Sequence, residues 1–156
     1  MKIANRKYPM QFSRGFTLVE LMIVVVIVAI LASLAIPSYR SQVLKTHRKE
    51  AMAALDGLAQ AMERYHLQNG TYVGADTSGV PNIFHTTAPI DGGAARYNLR
   101  ITSSNASTYT LQAQPIAGSG QASDGTIQLD STGARAWDKN NNNSLTDTNE
   151  NNWNDH

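Results

Sequence analysis

The apolar residues of the chain are concentrated in one block near the N-terminus. The run from Phe16 to Ile36, FTLVELMIVVVIVAILASLAI, contains 21 residues. As an α-helix rising about 1.5 Å per residue, it can span the roughly 30 Å hydrocarbon core of a bilayer. The run therefore predicts a transmembrane helix over residues 16–36, followed by a polar body.

After Pro37 the hydrophobic pattern changes to the three-and-four spacing of an amphipathic helix. Proline lacks a backbone N–H and clashes with the carbonyl four residues earlier, so we expect a kink at Pro37 while the helix continues. The predicted apolar face carries Met52, Leu55, Leu58, Ala59, Met62 and Tyr65. Asn69-Gly70 is a helix stop signal. The pattern thus predicts an amphipathic helix over residues 37–69.

The remainder of the body is predicted to form a loop and then a sheet. Residues 70–95 are rich in Gly, Thr, Pro and Asp and predict a long αβ-loop. Residues 96–137 alternate apolar and polar positions with a period of two, which is typical of half-buried strands. The prediction is an α+β fold, with the long N-terminal helix packed on an antiparallel meander of three to four strands.

Charge is distributed as unevenly as the apolar residues. The chain has thirteen basic and twelve acidic residues, for a formal net charge of +1. Residues 1–15 hold four of the basic residues and no acidic one, which leaves the rest of the chain at −3. By the positive-inside rule, the basic segment stays cytoplasmic and the body lies across the membrane. The near-neutral total argues against nucleic-acid binding through bulk charge.

The chain contains no cysteine. This excludes a disulfide scaffold, a thiolate metal site and a cysteine nucleophile. The sequence also lacks a nucleophile–base pair, a GxxxxGK phosphate loop and a catalytic metal cluster, so we expect no enzyme activity.

The residues alone are compatible with three outcomes for the N-terminal segment, which differ in whether and where the chain is cleaved. The chain can remain an uncleaved anchor, or cleavage near Ala32 or Ala35 can remove the helix, as in an ordinary secretory signal. Cleavage after Gly15 would instead remove the basic residues and keep the helix. Glu20 is informative, because a carboxylate inside an apolar helix costs a few kcal/mol and marks a functional residue with a partner. After cleavage at Gly15 the nearest new cation is the α-amino group of Phe16, and pairing between neighbouring chains would neutralise both charges.

The segment RGFTLVELMIVVVIVAILASLAIPSY closely resembles the N-terminus of type IV pilins and pseudopilins, and the resemblance extends over roughly residues 12–73. It implies that residues 1–15 are a leader that a membrane prepilin peptidase removes between Gly15 and Phe16. It also implies that this enzyme methylates the Phe16 amine, and that Glu20 pairs with Phe16 of an adjacent subunit during assembly. In this interpretation Phe16 and Glu20 are substrate and assembly residues.

The resemblance further implies a structural subunit of a type IV pilus, similar to the PilE-like minor pilins. Before assembly, such a subunit is a single-pass protein of the inner membrane, surrounded by lipid, with its C-terminus in the periplasm. An inner-membrane assembly platform then builds it, with other pilin subunits, into an extracellular filament. Adhesion, twitching motility and DNA uptake are the functions of the family. Two alternatives remain: a type II secretion pseudopilin, and a DNA-binding minor pilin that would use Arg96, Arg100 and Arg135.

A basic cluster follows the apolar run. Its members are Arg40, Lys45, His47, Arg48 and Lys49. We expect them to form a solvated collar at the membrane surface, or to contact acidic surfaces of neighbouring subunits.

The C-terminal segment, residues 138–156, is rich in Asn and Asp and is bracketed by Trp137 and Trp153. Its first residues have the 1-3-5 spacing of an oxygen-ligand calcium loop, with an asparagine at the sixth position in place of glycine. Glu150 follows one residue after the twelfth position, where the motif has its bidentate glutamate. The candidate ligands of this weak calcium site are Asp138, Asn140, Asn142, Asp147 and Glu150.

Calcium is the only cofactor that the sequence suggests, and two alternatives remain for the same segment. One is an ordered loop held by side-chain to backbone hydrogen bonds, and the other is a polar tail. The PilE-like minor pilins that the segment resembles usually carry a cysteine pair there. Because this chain has none, packing, hydrogen bonds or a cation must hold the segment.

Overall fold

The computed structural model describes residues 15–147 and 149–154. One helix and seven short or medium strands follow each other along the chain. They are α1 (Leu18–Asn69), β1 (Asp76–Thr77), β2 (Val80–Pro81), β3 (Thr87–Ala88), β4 (Tyr97–Ser104), β5 (Tyr109–Pro115), β6 (Ile127–Asp130) and β7 (Arg135–Trp137). Residues 1–14 of the predicted leader lie outside the described part of the chain. By compactness the chain divides into one unit that ends at Tyr39 and another that begins at Arg40.

The first unit consists of the N-terminal half of α1. Among the described residues α1 is the one helix long and apolar enough to cross a membrane, and its most apolar window has a mean hydropathy of 3.0 with no residue buried. α1 contains Pro37 and is continuous across it. The kink expected at Pro37 stays a prediction.

The second unit contains a five-stranded antiparallel sheet with the strand order β3-β4-β5-β6-β7. Strands β4 to β7 form the predicted meander, which confirms the prediction of an α+β architecture. The predicted strand number was too low, because β3 lies inside the predicted loop and adds an edge strand. A separate hairpin pairs β1 with β2 in that loop. Strands of two residues are too short to show a period in the sequence, which explains why the pattern missed them.

The core lies between the second half of α1 and one face of the sheet. On the helix the buried residues are Arg48, Ala51, Ala54, Leu55, Leu58, Ala61 and Met62. On the sheet they include Tyr97, Leu99, Ile101, Tyr109, Leu111, Ala113, Ile127, Leu129 and Trp137. Three predicted members of the helix face, Met52, Ala59 and Tyr65, pack only at the edge of this core. The buried stripe is therefore rotated toward the alanines of the helix.

Gly125 allows the end of β7 to pass close to the preceding loop. Its φ is 79°, and a Cβ built there would lie 1.7 Å from the carbonyl oxygen of Asp138. Only glycine satisfies both conditions, because other residues rarely adopt this backbone conformation and their Cβ would overlap that carbonyl.

We expect Gly125→Ala to lower the free energy of unfolding of the second unit by more than about 2 kcal/mol. Gly133→Ala is the matched control, because its φ is 82° but no atom lies within 4 Å of the added Cβ. Urea unfolding monitored by tryptophan fluorescence would compare them. Equal losses for both variants would contradict a role for the close approach at Gly125.

Candidate functional site

The N-terminus of α1 is closed by a reciprocal pair of side-chain contacts. The Thr17 N–H and the Thr17 hydroxyl each donate to Glu20 Oε2 at 2.9 Å. The Glu20 N–H donates in return to Thr17 Oγ1 at 3.2 Å. This arrangement is a capping box, in which the first helix residue follows Thr17 and the glutamate takes the third helical position.

The capping box gives Glu20 a partner that the sequence analysis did not consider. In a single chain, its carboxylate is hydrogen-bonded by Thr17 rather than left bare among apolar side chains. The signal was present in the sequence as T-x-x-E directly before an apolar run. These hydrogen bonds lower the cost of holding the carboxylate at the start of a membrane helix.

Gly15 and Phe16 precede the helix. Phe16 is 84% exposed. A Cβ added at Gly15 would meet no atom within 4 Å among the described residues. Packing in the described part of the chain therefore does not require glycine at this position.

The expectation of a solvated basic collar is wrong for Arg48. Its side chain and that of Asp124 are only 10% and 4% exposed, and the two form a buried ion pair. The guanidinium donates from Nε to Asp124 Oδ2 at 2.9 Å and from Nη2 to Asp124 Oδ1. Sequence charge alone could not reveal this, because the partner lies 76 residues away in a loop.

The Arg48–Asp124 pair is enclosed by aromatic side chains. The guanidinium carbon lies 3.6 Å from the ring centroid of Trp137, which is a cation–π contact. The Tyr97 hydroxyl donates to Asp124 Oδ2, and Trp137 Nε1 donates to the Asp124 carbonyl at 2.7 Å. Burial, and then the hydrogen bond to Asp124, raises the pKa of Tyr97 well above its usual value. The network joins α1, β4, β7 and the loop before β6.

The three arginines of the predicted DNA-binding patch have different environments. Arg135 Nη2 donates to Asp56 Oδ1 at 3.0 Å, and its guanidinium lies 4.3 Å from the ring centroid of Trp153. Arg100 instead lies on the outer face of the sheet, opposite Gln112, and lines a shallow cleft of about 500 Å³. Arg96 and Arg100 are half-buried. The patch that the sequence suggested is therefore divided.

The outer face of the sheet is an amide ladder beside Arg100. Gln112 Nε2 donates to Gln128 Oε1 at 2.9 Å, and Gln114 Nε2 donates to Gln112 Oε1 at 3.0 Å. Pairing between β4, β5 and β6 aligns Arg100, Gln112 and Gln128 in one row. This surface presents amide donors and acceptors together with one guanidinium.

Within the C-terminal segment, the described residues 138–147 and 149–154 form a hydrogen-bonded loop. The Asn142 and Asn143 N–H groups donate to Asp138 Oδ1 and Oδ2 at 3.0 and 2.9 Å. Asn143 has a φ of 64°, the left-handed conformation that the sixth position of a calcium loop needs. Asn140 and Asn142 donate their side-chain amides to Asp147 Oδ2 at 3.0 and 2.6 Å. These donors lower the pKa of the Asp147 carboxyl.

Glu150 lies at the base of this loop. Its backbone carbonyl accepts from the Trp137 N–H at 2.8 Å, so it sits beside the first residue of the loop. Its carboxylate reaches the Asn140 N–H at 3.4 Å. The structure thus brings all five predicted calcium ligands into one loop. Among the described residues, however, no three His, Asp or Glu side chains are arranged to hold a metal by themselves.

The loop is held to the sheet by its two tryptophans in place of a disulfide. Trp153 Nε1 donates to the carbonyls of Gln128 and Ala136 at 3.1 and 3.2 Å. Trp137 is buried in the core. The expectation that packing and hydrogen bonds anchor this region agrees with these contacts.

The fold and the N-terminal geometry define a class of protein before any comparison. The class is an α+β subunit in which one end of a single long helix packs on a sheet. The other end of that helix is exposed, apolar and able to span a membrane. Its one carboxylate lies in the first helical turn, at Glu20.

Comparison with known proteins identifies the family. A family model described as type IV minor pilin ComP, DNA uptake sequence receptor, matches residues 37–128, and the prokaryotic N-terminal methylation motif matches residues 10–36. A fimbrial protein of Pseudomonas aeruginosa is 32% identical over 120 residues, which cover 76% of this chain and 78% of that protein. The chain belongs to the type IV minor pilin family.

Two further comparisons agree with this assignment. A fimbrial protein of Neisseria meningitidis serogroup B is 42% identical over 65 residues, which cover 42% of this chain and 38% of that protein. The chain thus covers about two fifths of the length of that relative. The crystal structure of the Neisseria meningitidis non-core minor pilin PilV superposes with a TM-score of 0.53, at 24% identity, over 67% of this chain and 95% of that one. This likeness supports the fold.

Proposed function

We propose that this chain is a structural subunit of a type IV pilus that polymerises through the N-terminal half of α1. The observation that carries the proposal is the apolar segment of residues 16–36, which is helical from Leu18, largely exposed, and has Glu20 as its one carboxylate. A surface of this size must be covered by lipid or by other helices. Lipid covers it before assembly, and the helices of neighbouring subunits cover it in the filament.

Processing at Gly15–Phe16 converts the membrane form into the assembly form. A prepilin peptidase removes residues 1–15, and the exposed Phe16 amine is then methylated. The match of residues 10–36 to the N-terminal methylation motif supports this step. So does Gly15, because packing among the described residues gives no reason for glycine there. The basic leader keeps the N-terminus cytoplasmic and the sheet periplasmic.

The proposal is tested by comparing wild type with Gly15→Val in cells that make pili. We expect the wild-type chain in the sheared filament fraction. Gly15→Val should remain in the membrane fraction, heavier by the fifteen residues of the leader. The periplasmic unit should stay equally resistant to protease in both, because a Cβ added at Gly15 meets no atom within 4 Å among the described residues. Processed Gly15→Val in filaments would contradict the cleavage site, and wild type absent from filaments would contradict the pilus function.

The pilus function is distinguished from a type II secretion pseudopilus by what the chain is assembled into. The named relatives and the family model are all pilins or fimbrial proteins, which supports the pilus. A deletion strain that loses a surface filament function but secretes normally would agree with it. A secretion defect with intact pili would favour the pseudopilus.

DNA binding is a second candidate function, supported by the description of the family model that matches residues 37–128. We propose the outer sheet face as its surface, since Arg100 and the amides of Gln112 and Gln114 can donate to phosphates or base edges. Arg135 contributes less, because Asp56 already neutralises it. Arg100 shares its cleft with Asp76 and Gln114, and such a single guanidinium suits a weak, salt-sensitive contact.

A gel-shift titration against salt tests the DNA surface, using residues 40–156, which contain the whole core. We expect Arg100→Gln to weaken binding about tenfold, and Arg135→Gln to change it much less. Absence of any shift of wild type at low ionic strength would contradict DNA binding. An equal loss in both variants would contradict the assignment of the outer face.

A further inference from the structure

The C-terminal loop contains a buried carboxylate that has few polar partners among the described residues. Glu150 is 2% exposed, and its Oε2 atom is buried without a hydrogen-bond partner in the described structure. Its other oxygen has one long contact, to the Asn140 N–H at 3.4 Å. An ionised carboxylate taken out of water is costly unless it is paired with a positive charge.

The described cations near the loop do not serve this role. Lys139 lies 5.4 Å from the ring centroid of Trp137, Arg135 pairs with Asp56, and Arg48 pairs with Asp124. A second buried carboxylate, that of Asp138, stands at the first position of the same loop and is 1% exposed. Two buried acids in one loop call for a bound cation.

We propose that this loop binds Ca²⁺, with Asp138, Asn140, Asn142 and Glu150 as side-chain ligands. Calcium takes six to eight oxygen ligands, and amide and backbone oxygens serve as well as carboxylates. The side-chain oxygens of Asn140 and Asn142 are already oriented by the N–H groups of Asn142 and Ser144, at 3.0 and 2.7 Å. Two of the four proposed side-chain ligands are asparagines, so the site does not need a cluster of three acidic side chains.

Glu150 lies one residue after the twelfth position of the calcium-loop motif, and a turn of the backbone compensates for this shift. Asn149 has a φ of 73°, and the Glu150 N–H donates to the Asp147 carbonyl at 3.1 Å, so the chain turns sharply before Glu150. This turn takes up the extra residue relative to the twelve-residue loop. Asp147 accepts from the Asn140 and Asn142 amides. Because their N–H₂ groups point toward its carboxylate, Asp147 acts by orienting these two side chains or as an outer ligand.

The expected affinity is low. The site offers few carboxylates, and Asn replaces Asp at two ligand positions, so a Kd of roughly 10⁻⁴–10⁻³ M is expected, as in extracellular calcium modules. Mg²⁺ should not substitute, because it demands a smaller octahedral set and keeps its waters. The proposal depends on the loop alone and is independent of the proposed pilus function.

The test uses the full chain in detergent micelles with Tb³⁺ as a luminescent calcium analogue, since Trp137 precedes the loop and can sensitise it. We expect tryptophan-excited Tb³⁺ luminescence that Ca²⁺ displaces and Mg²⁺ does not. Asp138→Asn should weaken this binding at least about tenfold. Asp91→Asn removes the same charge from an exposed loop and should bind as wild type does. No luminescence, or equal luminescence in Asp138→Asn and Asp91→Asn, would overturn the proposal.

Glu150→Gln gives a second test that does not depend on a destabilised variant. In chelator it should melt at or above wild type, because the substitution replaces a buried carboxylate that lacks hydrogen-bond partners with a neutral amide. In Ca²⁺ at about a hundred times the Kd, wild type should melt more than about 5 °C higher than in chelator, while Glu150→Gln should gain little. A wild-type melting temperature that calcium does not change, or an equal calcium response in both proteins, would overturn the proposal.

Discussion

Replacing Glu20 with valine is expected to leave membrane insertion intact and to reduce incorporation into filaments by at least about tenfold. Insertion becomes easier, because a carboxylate in an apolar helix costs a few kcal/mol. Incorporation fails because the Phe16 amine of a neighbouring subunit loses its counter-ion. Loss of only about 1.4 kcal/mol of pairing energy is a tenfold effect. The measurement is the ratio of chain in sheared filaments to chain in membranes, in cells that also make wild-type pilins.

The capping box provides variants that separate charge pairing from helix capping. Glu20→Gln keeps a side chain that can cap the helix with Thr17 but removes the charge. Thr17→Val removes the cap and keeps the charge. If pairing controls assembly, Glu20→Gln should fail as Glu20→Val does, and Thr17→Val should assemble. Normal incorporation of Glu20→Gln would contradict the charge-pairing account and assign the residue to helix capping.

Asp124→Asn is expected to lower the free energy of unfolding of residues 40–156 by about 3–5 kcal/mol, the usual cost of removing one partner of a buried ion pair. The substitution leaves the Arg48 guanidinium buried against a neutral amide. It also weakens the acceptor of the Tyr97 hydroxyl. Urea unfolding should show a midpoint about 2 M lower at an unchanged slope. Trp137 fluorescence reports directly on the site.

The exposed pair of Arg135 and Asp56 is the matched control. Its side chains are 49% and 42% exposed, so Asp56→Asn should cost less than about 1 kcal/mol. The double variant Arg48→Met/Asp124→Asn should recover part of the stability that Asp124→Asn loses, because the buried guanidinium that faces position 124 is then removed as well. Equal losses for Asp124→Asn and Asp56→Asn would show that burial does not set the strength of these pairs.

The sequence was most informative where a local period extends over many residues. The apolar run before Pro37 and the alternating strands from Tyr97 onward were predictable because their pattern depends only on which face is buried. The two-residue strands β1 to β3 were not, since strands of this length are too short to show a period of their own. Met52 and Tyr65 are half-buried at the edge of the core, because the sheet covers a neighbouring face of the helix, and local spacing alone does not determine which face is covered.

The candidate sites also include features with a local sequence signal and features that depend on residues distant along the chain. The T-x-x-E pattern that begins at Thr17 is a signal for the start of a helix. The sequence interpretation did not include it, because it considered only the charge of Glu20 within the apolar run. Arg48 could not be placed from its neighbours in sequence, because its partner Asp124 is distant along the chain. Glu150 was one residue out of register in the calcium-loop pattern. Only the left-handed turn at Asn149 shows how it reaches the loop.

The central claim is that the apolar half of α1 survives maturation and becomes the element through which subunits polymerise. Mass spectrometry of the N-terminal peptide of the chain recovered from sheared pili tests it most directly. The account predicts a mature chain that begins at Phe16, carries one methyl group on its α-amine and retains residues 16–36. A chain that begins at Met1, or one that begins beyond Ile36, would contradict it.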